Sequence, residues 1–177
     1  LGQEQYRGLT VVTNPNFSSP GLAFLATTHA GFDTSMEVFA YWRSIRDNDL
    51  KVTGSWEDAY FVDFTRYGGD RPIVLSYASS PSAEVKEDGT PGSAALLTEC
   101  FRQTEFAGVL KGNQNQAGAQ ALVDFLQGDS FQANSAVEVP ESWAKFAKPA
   151  ESVIGSDLDI NSNREQWLTD WSDVFDN

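Results

Sequence analysis

Apolar and β-branched residues gather in short runs along the first half of the chain, and each run closes in small polar residues. Leu9-Thr10-Val11-Val12 reads as a buried strand ended by the turn chemistry of Asn14-Pro15-Asn16. Ser18-Ser19-Pro20-Gly21 then precedes Leu22-Ala23-Phe24-Leu25-Ala26, the pattern of a helix with a serine cap and a proline in its first turn. A second helix is predicted from Met36 to Arg46, where Val38, Phe39, Trp42 and Ile45 fall at helical spacing. Lys51-Val52-Thr53 reads as another strand, Ser55 to Tyr60 as a helix start, and Ile73-Val74-Leu75-Ser76-Tyr77 as the clearest buried strand, running into Ala78-Ser79-Ser80-Pro81. Strands alternating with helices in this way predict an α/β fold with a mostly parallel sheet, whose ligands sit outside the carboxyl ends of the strands.

The second half is less regular. Glu84 to Ser93, rich in Gly, Pro and acids, reads as an exposed loop without chemistry, and Thr104 to Leu110 as a returning strand. Gln116 to Gln127 is a predicted helix with Ala117, Ala121, Leu122 and Phe125 on one face. Pro140 to Pro149 carries Trp143 and Phe146, and Asn161 to Phe175 is a predicted amphipathic helix with Trp167, Leu168, Trp171 and Val174 in one stripe. The expected organisation is an α/β lobe carrying the ligand loops over 1–80, a crossover and return over 81–132, and C-terminal helices over 133–177.

Charge narrows the list of partners. The 177 residues hold 25 Asp and Glu against 12 Lys and Arg, a formal charge of −13, which repels phosphate backbones and makes nucleic acid an unexpected partner. No apolar run is long enough to cross a bilayer, and Leu1 to Arg7 lacks the layout of a signal peptide, so a soluble chain is expected. Enzymatic readings fail on inventory. His29 is the only histidine and is expected to be solvated at a frayed helix end, and Cys100 has neither a CxxC partner nor a histidine near it in sequence and is expected to be a buried small hydrophobe. Neither a GxxxxGK[ST] nor a GxGxxG loop occurs. No catalytic residue, metal ligand or resident cofactor is expected.

What remains is a set of binding residues at predicted strand ends. Ser18 and Ser19 at a helix start offer hydroxyls and amides to an anion, although without other evidence a plain N-cap is the better account of them. Trp56 and Tyr60 could stack on a flat ring or attract a ring cation, or could simply fill the core. Ser76, Tyr77, Ser79 and Ser80 add hydroxyls that also suit a turn.

The segments Tyr6 to Val12, Asn14 to Leu22, Trp56-Glu57-Asp58-Ala59-Tyr60 and Leu75-Ser76-Tyr77-Ala78-Ser79-Ser80-Pro81 resemble, in order and spacing, the thiamine-binding periplasmic proteins of ABC transporters. The likeness continues through Phe106 to Gly112 and Asn163-Arg164-Glu165-Gln166-Trp167. It implies a type II periplasmic binding protein fold, a three-layer sandwich built in two lobes that close like a hinge, of which this chain would be the C-terminal part. It implies an extracytoplasmic, non-enzymatic, monomeric component of an importer, periplasmic or extracellular, with a lipid anchor on the full-length protein as one way to hold it there. Its ligand would be thiamine, thiamine monophosphate or thiamine pyrophosphate, and its partner a membrane permease. Carried over by residue, Ser18 and Ser19 would hold phosphate, Trp56 and Tyr77 would line the thiamine pocket, and Asp58, Tyr60 and Ser80 would support it. Two places depart from the family pattern. Ser82-Ala83 stands where the family has a further pocket tyrosine, and the stretch of proline, methionine and aromatics that follows Phe131-Gln132 is missing. Capture of another phosphorylated metabolite or of ferric ion, and a non-binding structural fragment, are the alternatives.

Overall fold

The computed structural model describes residues 1–104, 106–128, 145–155 and 157–176. They fall into two compact units, one of Leu1–Ala78, Ala95–Arg102 and Pro149–Asn177, the other of Ser79–Ala94 and Gln103–Lys148.

The first unit is built on a three-stranded parallel sheet. β1 (Thr10–Thr13) lies between β2 (Lys51–Thr53) and β3 (Ile73–Val74), with Val12 opposite Val52 and Val11 opposite Val74. All four residues of β1 are buried. Successive side chains of a strand point to opposite faces, so the near-complete burial of both Val11 and Val12 means that both faces are covered. The chain passes from β1 to β2 on one side, then back across β1 to β3 on the other. Right-handed crossovers running in opposite directions put their helices on opposite faces, giving three layers. The expected parallel α/β architecture is what the structure contains.

The β1–β2 crossover is made by α1 (Ser19–Gly31) and α2 (Ser35–Asp47). Thr34 and Glu37 form a reciprocal capping box that starts α2. Leu25 and Ala26 of α1 and Val38, Trp42 and Ile45 of α2 meet Trp167, Trp171 and Val174 of a C-terminal helix, here α5 (Ile160–Asp176), in one core. Burying each such large side chain is worth about 1.5–3 kcal/mol, which makes this the main anchor of the layer. Trp42 donates its indole N–H to Thr28, and Arg46 donates to the carbonyl of Val174. The β2–β3 crossover starts with one turn, α3 (Trp56–Asp58), which widens into a π-helix over Ala59–Asp63. Asp63 is buried and paired with Lys51, and Gly69 lies so close to the Asp63 carbonyl that a methyl there would overlap it.

Several sequence-based expectations are corrected here. His29 is half-buried and not freely solvated. It stacks on Trp167 with ring centroids 4.2 Å apart and 12° between planes, because the stripe of α5 closes over the end of α1. Cys100 is a free, half-buried thiol whose backbone bridges to Val153. Only Ile73 and Val74 pair as a strand, opposite Thr10 and Val11, and the Leu75 amide makes the last bond, to the Val11 carbonyl. Residues 104 and 106–110 form no strand.

In the second unit, a short 3-10 turn spans Ser80–Ala83 and Val85 bridges Pro91, so the acidic loop carries a hairpin and buries Glu84 at 2% exposure. Burial pushes that carboxyl above its ordinary value, with Ser93 pulling the other way. α4 (Gln116–Gln127) forms as the spacing predicts, capped by Asn115, yet its apolar stripe is exposed, Leu122 at 57% and Phe125 at 51%. Trp143 and the departure after Phe131-Gln132 lie outside the described residues.

Candidate functional site

All three strands of the sheet run the same way, so their carboxyl ends share one edge, and the loops there carry most of the residues that the sequence singles out. The β1 and β2 exits are joined directly, the Asn14 amide donating to the Thr53 carbonyl at 2.8 Å. Asn14 then folds the loop by accepting from the Asn16 amide through Oδ1 at 2.8 Å. Thr53 donates to the Ser55 carbonyl, and Ser55 caps the next turn by accepting from the Asp58 amide at 3.1 Å. Two small hydroxyl residues thus turn the chain within three positions and place Trp56 at the β2 exit.

Trp56 is the centre of an aromatic cluster. Its indole N–H donates to Ser76 Oγ just beyond β3 at 3.1 Å, which ties the β2 and β3 exits together. One ring face stacks on Tyr60 at 4.6 Å and 23°, Phe61 meets it edge-on at 5.6 Å, and Tyr77 tilts against it at 5.7 Å. Tyr67 and Phe64 extend the cluster behind Tyr60. The π-helix explains the density of rings, because its wider turn fans Tyr60 and Phe61 around one side of the indole. Tyr77 is 46% exposed and Phe61 49%, whereas Tyr60 is 4% exposed. Tyr60 therefore backs the indole instead of presenting a face of its own.

Ser18 is the N-cap of α1. Its Oγ accepts from the Gly21 amide at 3.0 Å and donates to the buried Thr13 Oγ1 at 2.5 Å. Gly21 is required here, since a methyl would overlap the Thr13 carbonyl oxygen and the helix start could not press against the strand end. Ser19 is exposed at the first helical position.

Ser18, Ser19, Trp56, Tyr60 and Tyr77 thus stand at one sheet edge, with Asp58 exposed one turn into the β2–β3 crossover. Ser80 belongs to the second unit. Sequence reading missed Thr13 and Phe61. The strand pattern stops at Val12, short of Thr13, and nothing in the local pattern announces the π-helix that carries Phe61. A shallow groove of about 340 Å³ between α2 and α5 is lined by Phe39, Arg43, Arg46, Asp170, Asp173 and Val174. Its opposed charges mark a seam between helices. Among the described residues, no group of three His, Cys, Asp or Glu could hold a metal ion, and no helix is long and apolar enough to cross a membrane.

Comparison with known proteins points the same way as the residues quoted above. The chain is 25% identical over 175 residues to the thiamine-binding periplasmic protein of Brucella abortus, the match covering 91% of this chain and 51% of that protein. It is 25% identical over 176 residues to the protein of the same name from Escherichia coli, and 24% identical over 184 residues to that of Salmonella typhimurium, where 97% of this chain is covered. The chain spans about half the length of the curated relatives it matches. A solved structure, a periplasmic thiamin binding protein, superposes with a TM-score of 0.73 at 18% identity, covering 95% of this chain and 55% of that one, and shows the fold. No family model matches the chain.

Proposed function

We propose that this chain is part of an extracytoplasmic solute-binding protein that captures thiamine or a thiamine phosphate and hands it to an ABC permease, without catalysing a reaction. The observation that carries this reading is the Trp56 cluster at the carboxyl edge of a parallel sheet. A flat ring bearing a fixed positive charge is attracted to indole and phenol faces, and Trp56 and Tyr77 are the rings placed at that edge. The relatives named for thiamine binding support the choice of ligand. In this reading Trp56 and Tyr77 contact the ring system, Tyr60 supports Trp56 from behind, Ser18 and Ser19 lie towards the ligand's alcohol or phosphate end, and Asp58 is a secondary contact. Hinge closure over the ligand, a periplasmic location and a monomeric state complete the proposal.

Titration calorimetry of the natural full-length protein with thiamine tests it. Binding without turnover is expected, with Trp56→Ala weakening it by about tenfold or more, as loss of a desolvated aromatic anchor does. Thiamine affinity that is absent, or indifferent to Trp56→Ala, would refute the assignment.

A further inference from the structure

Resting on the thiamine reading, we propose that Lys51 and Asp63 are positioning residues for ligand binding: from the far edge of the sheet, their ion pair fixes the π-helix that holds the Trp56 indole in place.

In an α-helix, positions five apart lie about 140° around the axis and do not face each other. Phe61 nevertheless meets Trp56 edge-on at 5.6 Å, while Tyr60, one position earlier, stacks on it at 4.6 Å. Meeting both rings takes a wider turn, and the bond from the Phe64 amide to the Ala59 carbonyl, at 3.0 Å, closes one of that width. Phe61 also stands edge-on to Tyr60 at 5.3 Å, so the two rings brace each other against the indole.

Such turns are rare, and this one is supported at its far end. Asp63, its last residue, is 7% exposed and accepts from Lys51 Nζ at 2.5 Å. The Arg71 amide donates to the Asp63 carbonyl at 2.9 Å, and Gly69 lies against that same carbonyl. Lys51 opens β2, whose other end leads through Ser55 to Trp56. One strand thus carries the anchor at its amino end and the indole beyond its carboxyl end, and the π-helix runs back between the two. Neither Lys51 nor Asp63 stands at the carboxyl edge, so they act through Trp56. Without Lys51, the buried carboxylate has no compensating charge and is drawn towards water, which loosens the turn. The ligand then has to order the indole on arrival, at a cost in affinity.

The test is a double-mutant cycle, read by calorimetric titration of the natural full-length protein with thiamine. Lys51→Met is expected to weaken binding about fivefold, whereas Lys51→Arg, which keeps the cation, should stay within about twofold of the natural affinity. In a Trp56→Ala background, Lys51→Met should change the remaining affinity by less than about twofold, because the ring it acts through is gone. Asp63→Ala leaves the half-exposed Lys51 free to reach water and gives a second reading if Lys51→Met does not fold; its loss should also vanish with the indole. A folded Lys51→Met or Asp63→Ala protein with natural affinity, or an equal loss with and without the indole, would overturn the inference while leaving thiamine binding intact. Failure of the natural protein to bind thiamine would remove the thiamine reading and this inference with it.

Discussion

His29 shows how far a residue's surroundings can depart from its sequence neighbours. Thr27-Thr28-His29-Ala30-Gly31 reads as a fraying helix end, yet Trp167, more than a hundred positions away, stacks on the imidazole, and Phe39 meets it edge-on at 6.4 Å. Burial holds the imidazole below its ordinary value, with Asp170 pulling the other way. The folded protein therefore takes up this proton less readily than the unfolded chain does. The contribution of His29 to stability is in place above about pH 6.5 and is lost as pH falls through the lowered folded value. His29→Phe keeps a ring against Trp167 and cannot titrate. Urea unfolding at pH 7.5 and 5.5 should show a smaller acid loss for this variant than for the natural chain; equal losses would mean that the imidazole has no part in it. Thr13 is the other instructive residue, since only the contact with Ser18 distinguishes it from the valines before it.

At the scale of elements, local signals worked best where one helix contains its own instructions. The Ser18-Pro20 start of α1 and the apolar spacing of α2 and α4 are readable along the chain, and the helices form there, the latter two capped by Thr34 with Glu37 and by Asn115. The aromatic stripe of α5 was equally legible, and packing against α2 gives it its energetic weight. Trp171 is 3% exposed, stacked on Phe175 at 4.4 Å and edge-on to Trp42 at 6.0 Å. Trp171→Ala should cost about 3–5 kcal/mol in denaturant unfolding. Trp171→Phe, which discards an indole N–H that has no partner, should cost much less; similar losses for the two would argue against ring packing as the cause. Strand length was not legible. Ile73 to Tyr77 is apolar enough for five residues of strand, but only Ile73 and Val74 pair with β1, and Ser76 beyond them accepts instead from the Trp56 indole of a neighbouring crossover. The π-helix was hidden for a related reason, because its register is held by the Asp63–Lys51 pair and the close approach of Gly69, both tertiary.

For the whole molecule, the governing quantity is charge. A chain of net charge −13 surrounds a site proposed to take a cation, so long-range attraction should speed its arrival. Stopped-flow fluorescence should show the association rate with thiamine falling about tenfold as salt rises from about 0.01 M to 1 M, over which the screening length shrinks from about 30 Å to about 3 Å. A rate that is flat or rises with salt would rule out steering. The sequence alone determined the α/β class, the order of strands and helices along the first half, the acidic field, the exclusion of familiar catalytic inventories and the family resemblance, because each of these is carried by period, composition or a contiguous motif. Tertiary structure alone decided that Trp56, Tyr60, Phe61 and Tyr77 form one cluster, that Tyr60 backs that cluster, and that the hydroxyls of Ser18 and Thr13 meet. Those facts depend on which strand ends the sheet brings side by side, and a hydrogen bond or ring contact between neighbouring strands leaves no periodic trace along either one.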